Sequence, residues 1–135
     1  MSAFCDGVFR ALGVPGRRMT IVFVSERRMR DLNRRYRGKD YATDVLSFVY
    51  QDEMEDGSPF LGEIVIAPEV ALRQARRWKI SLSRELHRLM LHGVLHLLGF
   101  DHETDAGRML RLQRRLLRRR AFSHAAAVAD LRDGR

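Results

Sequence analysis

The stretch His92-Gly93-Val94-Leu95-His96-Leu97-Leu98-Gly99-Phe100-Asp101-His102 decides how the rest of the chain is read. His92 and His96 are four residues apart, so on a helix over 86–98 their imidazoles leave one face a turn apart, close enough to share a cation. Gly99 stands where that helix should end. A glycine there takes the left-handed conformation that turns the chain, and the turn swings His102 back toward the first two histidines.

Neutral imidazole is the commonest protein ligand for zinc, and three protein ligands leave the fourth tetrahedral position open, as in catalytic sites. A closed structural site wants one more ligand, usually thiolate, and the only cysteine, Cys5, is far away in sequence. The expected cofactor is therefore one Zn2+ per chain, held by His92, His96 and His102. A single histidine on an apolar helix face is more often a hydrogen-bonded core residue. A third histidine and a turn glycine, both in register, favour the metal. The H-x3-H-x5-H spacing, with its midway glycine, is similar to that of the metzincin proteases, but Gly93 occupies the place of their general-base glutamate.

Outward from this stretch, 135 residues with 45% hydrophobic content suit one domain with a proper core. We expect a single domain over residues 1–120 and a tail over 121–135 that frays. The net charge of +8 favours polyanionic partners, although nearly all the basic residues are arginine, which also tracks genomic base composition. One cysteine permits no internal disulfide, so a reducing compartment fits. The N-terminus lacks a secretory pattern and no apolar run is long enough to span a membrane, which leads to the expectation of a soluble, cytoplasmic protein.

In chain order, Phe4, Val8 and Leu12 share a face of a short helix stopped at Gly13. Met19 to Val24 reads as a buried strand. Ser25 caps a helix ending at Gly38, with Met29, Leu32 and Tyr36 inward and Arg27, Arg30, Arg34 and Arg35 outward. Val45 to Tyr50 and Leu61 to Ala67 are strands separated by a polar loop, Gln51 to Pro59. Pro68 and Glu69 open a helix whose inward face is Val70, Gln74 or Ala75, and Trp78. Ser81 or Ser83 caps the central helix, which is apolar nearly all round between Leu89 and Leu98 and so should be enclosed by the sheet and other helices. Thr104 to Arg120 forms a last helix, with Met109, Leu112 and Leu116 inward and Arg108, Arg111, Arg115 and Arg118 outward. That stripe is a solvated face or a phosphate-binding one. The expected fold is α+β: a small mixed β-sheet with one right-handed crossover, packed with helices around a central zinc-binding helix that carries a metzincin-like metal motif.

Three motifs in order resemble the YbeY endoribonucleases of bacteria over roughly residues 4–120. They are Tyr36-Arg37-Gly38-Lys39-Asp40 followed by Thr43-Asp44-Val45-Leu46-Ser47-Phe48, then Leu61-Gly62-Glu63-Ile64-Val65-Ile66, then His92 to His102. Metzincin proteases share only the last. The resemblance implies a zinc-dependent, single-strand-specific endoribonuclease acting in 16S ribosomal RNA 3′-end maturation and late 70S ribosome quality control. Single-stranded RNA, 16S rRNA and the ribosome would be its partners. It further implies that His92, His96 and His102 ligate the metal, that Arg37 is the functionally important arginine beside it, and that Thr43, Asp44 and Ser47 line the cleft and bind substrate. Two departures stand out. Val49 replaces the proline usual after Ser-Phe, and the family's N-terminal strand is absent or mis-started.

Three neutral ligands leave a dication undiminished, which suits an anionic phosphodiester. Arg37 can orient phosphate through two parallel hydrogen bonds; its structural alternative is an ion pair with Asp40 or Asp44. Asp44, Glu63 and Asp101 are all candidate proton acceptors, with Asp101 the better candidate for orienting a histidine or capping the helix end. Phe48, Phe60 and Phe100 are candidates for base stacking or for core. Competing classes are a metzincin-like protease, which the glycine at 93 disfavours, and a non-catalytic ribosome-binding protein with a structural zinc.

Overall fold

The computed structural model describes residues 3–13, 16–100 and 107–117. The elements run α1 (Ala3–Ala11), β1 (Arg18–Phe23), α2 (Glu26–Arg37), β2 (Val45–Glu53), β3 (Pro59–Ile66), α3 (Pro68–Trp78), α4 (Leu82–Leu97) and α5 (Arg108–Leu117). This is the α+β arrangement expected, with a small mixed sheet and helices packed on it. The tail over 121–135 and the ends proposed for the last helix, Thr104 and Arg120, lie outside the described residues. Among the described residues no helix is long and apolar enough to cross a membrane.

The β-branched run of β3 occupies the centre of the sheet, in the order β1-β3-β2. Ile64 pairs with Ile21 of parallel β1 and with Ser47 of antiparallel β2. The crossover thus joins β1 to β3 and encloses both α2 and β2. The reason is local: β2 and β3 form a hairpin closed by Met54 N–H to Ser58 O (2.8 Å) and Gly57 N–H to Met54 O (2.9 Å), and the hairpin partner takes the outer place. The polar segment 51–59 is accordingly strand at both ends and turn only between.

Alternation along β3 sends Ile64 and Ile66 to one face and Val65 to the other. The first pair joins a core containing Val8 and Phe9 of α1, Leu89 and Val94 of α4, and Leu116 of α5. Val65 packs with Leu46, Met29 and Val70, under α2 and the start of α3. Helix α4 contacts β2 and β3 on one side and α1, α3 and α5 elsewhere, as its nearly all-round apolar sequence requires.

Two glycines set how closely these layers approach. Gly62 has φ +143°, and a Cβ there would lie 1.9 Å from the Phe48 carbonyl oxygen and 3.1 Å from Leu97 Cδ2. Gly93 lies on the side of α4 that faces the sheet, where a Cβ would meet three atoms of the Ile64 side chain at 2.8–2.9 Å.

Ser81, not Ser83, caps α4, its Oγ accepting from Arg84 N–H at 3.1 Å. The helix stops in a double reverse bond, Gly99 N–H to His96 O and Phe100 N–H to Leu95 O, each 3.0 Å, with Gly99 at φ +98°. Two expected core aromatics are instead at the surface. Tyr36 is 60% exposed and Trp78 51%, because each sits in the last two positions of its helix, past the edge of the layer that the helix covers.

Candidate metal centre and its cleft

The three- and four-residue steps from Glu85 to Arg88, His92 and His96 put all four on one stripe of α4. At its C-terminal end His92 Nε2 and His96 Nε2 are 3.2 Å apart, with ring centroids 4.7 Å apart and planes at 73°. The other nitrogen of His92, Nδ1, lies 3.0 Å from Gln113 Oε1 of α5. In the tautomer with its proton on Nδ1, His92 donates to that oxygen and its Nε2 lone pair is aimed at His96. Two such nitrogens need a proton or a cation between them. On a tetrahedral metal with bonds of about 2.05 Å, two nitrogen ligands stand about 3.3 Å apart, so this pair fits two vertices of a zinc site. His102 and Asp101 lie outside the described residues, among which no group of three potential ligands converges.

The pair opens into a cleft of about 610 Å³ that brings together Arg37, Thr43, Asp44, Ser47, His92 and His96, residues up to sixty positions apart in sequence. Val45, Ser47 and Val49 reach it by the two-residue period of β2. Buried Asn33 holds the preceding loop by donating from Nδ2 to the Tyr41 carbonyl at 2.8 Å, and Ala67 N–H ties down the Asp44 carbonyl at 2.9 Å. Arg37, in the last turn of α2, is exposed and makes no ion pair among the described residues. Asp40 is instead gripped by Arg30 through two bonds of 3.0 and 3.2 Å. That contact, with the charge behind it, holds the Asp40 carboxyl below its ordinary range.

Asp44 belongs to a polar cluster on the N-terminal half of the same α4 stripe. Arg88 donates to fully buried Glu85 through Nε (2.6 Å) and Nη2 (3.0 Å), and its Nη2 lies 3.7 Å from Asp44 Oδ2. Hydrogen bonding to Glu85 holds the Arg88 guanidinium above its ordinary pKa. The Gln74 amide, turned with its nitrogen toward the carboxylates, donates to Asp44 Oδ2 (3.0 Å) and Glu85 Oε2 (2.7 Å). The Trp78 ring covers the guanidinium at 5.2 Å. Thr43 Oγ1 donates to Asp44 Oδ1 at 3.3 Å. With both oxygens engaged, Asp44 is built to hold Thr43 and the loop in place. Glu63 does not line the cleft.

Of the three phenylalanines, Phe48 meets Tyr36 edge-on at 5.2 Å and Phe60 stacks with Tyr50 at 6.2 Å, both away from the cleft lining. Phe100 lines it. The place of the absent glutamate, Gly93, points at Ile64 and not into the cleft. Sequence reasoning missed Asn33, Arg88 and Gln113, and took Gln74 only as a candidate for the inward face of its helix. A signal for Gln113 did exist: it is a polar residue three before Leu116 and four after Met109, within the stripe expected to face inward.

A family model described as Endoribonuclease YbeY matches residues 5–121. The Endoribonuclease YbeY of Thermodesulfovibrio yellowstonii is 41% identical over 102 residues, covering 73% of this chain and 64% of its own length. That of Anaeromyxobacter sp. (strain Fw109-5) is 45% identical over 126 residues, covering 92% and 63% respectively. The chain thus spans a little under two thirds of the curated relatives it matches. The solution structure of TM1509 from Thermotoga maritima shares the fold with a TM-score of 0.59 and 26% identity, over 96% of this chain and 82% of that one.

Proposed function

The chain belongs to the YbeY endoribonuclease family, and from that premise we propose that it is a zinc-dependent endoribonuclease acting on single-stranded RNA in the cytoplasm. Its role would be in maturation of the 16S ribosomal RNA 3′ end and in late 70S ribosome quality control. The observation that carries this reading is the pair of imidazole nitrogens 3.2 Å apart in a cleft also lined by Arg37 of α2, which makes no ion pair among the described residues. His92, His96 and His102 would hold one zinc per chain in a metzincin-like motif. When bound, the metal supplies Lewis-acid polarisation and a water acidified toward neutrality.

The remaining work falls to the chain. Arg37, always charged and planar, clamps a phosphate through two parallel hydrogen bonds and stabilises the charge that grows on it. The hydroxyls of Thr43 and Ser47 contact the bound strand, Thr43 aimed by Asp44 and Asp44 in turn by Arg88 and Gln74. The Gln113 side-chain oxygen, 3.0 Å from His92 Nδ1, favours the tautomer with its proton there. A cleft with exposed cations at its mouth admits a splayed backbone and excludes a rigid duplex.

The test is metal content and cleavage of single-stranded RNA on the same purified sample, for the wild type, His96→Ala and Arg37→Ala, with a peptide substrate alongside. About one zinc per wild-type chain, RNA turnover lost in both variants while the fold survives, and an intact peptide are the expected results. Stoichiometric zinc without turnover would leave a ribosome-binding protein with a structural metal.

A further inference from the structure

A second groove, of about 370 Å³, runs beside α5 and is lined by Phe100, Arg108, Arg111, Leu112 and Arg115. Phe100 also lines the histidine cleft, so the two depressions share a wall. The three arginines recur at steps of three and four, one face of a helix, while Arg114, also exposed on the same helix, does not line the groove. The guanidinium of Arg108 sits 5.7 Å from the centre of the Phe100 ring, at the junction.

We propose that this groove continues the cleft and carries the backbone of a single-stranded RNA as it leaves the metal site, with Arg108 and Arg115 each on one of its phosphates. The inference rests on the reading of the cleft as an RNA site. Arg108 and Arg115 are seven residues apart, so they stand two helical turns, about 10.5 Å, apart along the axis; an extended strand can present two non-adjacent phosphates over that span, and each guanidinium can bind one bidentately. Such a strand can bend over the edge of Phe100, and an aromatic face there gives a base somewhere to stack.

The test uses this chain as purified and fluorescent oligouridylates of about 4 and about 16 nucleotides, a span matching the range of single-strand site sizes. Probe integrity is checked on a gel. Replacing Arg108 and Arg115 together by glutamine should weaken the long probe about tenfold at 0.1 M salt and flatten the slope of log affinity against log salt by about 1.4, or 0.7 for each lost phosphate contact. The short probe should bind unchanged, and Arg114→Gln should change neither. Should the double variant melt early, Arg115→Gln alone carries the same comparison at half the slope change. Equal loss with Arg114→Gln, equal loss on the short probe, or a polyglutamate competitor that displaces RNA as well as unlabelled oligouridylate does would overturn the assignment. Wild-type protein that binds the long probe in this arginine-dependent way but never cleaves it would instead sink the proposed activity and leave the groove standing.

Discussion

His92 and Gly93 are neighbours on α4, a third of a turn apart, and they belong to different problems. The stripe holding His92 is polar from end to end, running from the buried Glu85–Arg88 pair to the two imidazoles; its members meet one another along the helix, and Glu85, Arg88 and His92 also meet partners from other elements. The side holding Gly93 is a packing surface fitted to the sheet so tightly that one methyl group has no room. The difference teaches that in this helix chemistry is placed by hydrogen bonds that tolerate small shifts, and that the placement depends on a steric fit behind it that does not.

The most severe way to break the fitted side is Gly62→Ala. The new Cβ would lie 1.9 Å from a backbone oxygen of β2, at a φ of +143° that side chains rarely adopt. Neither strand can move without breaking the ladder, so a loss above about 4 kcal/mol is expected, the exceptional end of the single-mutant range. Urea unfolding measures it, and near-native stability would mean that the sheet is looser than described.

On the polar stripe the largest effect should come from Arg88→Ala, which leaves fully buried Glu85 without its two-bonded partner. Breaking a buried pair from this side costs about 3–5 kcal/mol. Glu85→Gln should cost clearly less, because the partly exposed guanidinium keeps Asp44 nearby and can turn to water. Equal losses in the two variants would contradict the buried-charge explanation.

Gly93→Ala comes next. Alanine is the better helix former by about 1 kcal/mol, yet the contact with Ile64, itself fully buried, should outweigh this and leave a net loss of about 1–3 kcal/mol. Ile64→Val in the same chain removes one of the clashing methyl groups and should recover part of the loss. Gly93→Glu restores the metzincin spelling and should unfold the domain without conferring peptide hydrolysis, since the side chain would enter the sheet interface.

Part of this was legible in the sequence, and the division follows physical range. The His92–His96 spacing, the turn at Gly99, the Ser25 and Ser81 caps and the inward residues Met29, Val70 and Leu116 are consequences of helical period and local capping, which a few neighbouring residues determine. The cluster of Asp44, Gln74, Glu85 and Arg88 joins a loop to two helices, and nothing within any one segment announces it. Gly93 was legible as an anomaly but not in its meaning. A missing catalytic glutamate and a packing glycine look alike until Ile64 is seen beneath it. Tyr36 and Trp78 had the right periodicity and the wrong axial position, since period says which face a residue is on and not whether the neighbouring layer extends that far.

Gln113→Leu sharpens the comparison at its finest point, because it changes a hydrogen bond on the chemical side while keeping the volume that the packing side needs. Gln113 is 5% exposed, so leucine fits the same space between α5 and α4 and the unfolding midpoint should move little. What leucine removes is the oxygen that favours a proton on His92 Nδ1. Without it the ring is free to carry its proton on Nε2, the nitrogen that faces His96, and each bound metal must first reverse that choice. Loss of such an orienting partner typically costs 10–100-fold in metal affinity. Competition with a chromophoric chelator should therefore show zinc binding weakened by at least about tenfold at unchanged stability, with Gln113→Glu, which keeps an acceptor oxygen, restoring most of it. Affinity unmoved by leucine would mean that helix geometry alone orients His92, and the two sides of α4 would then differ less than the hydrogen bonds imply.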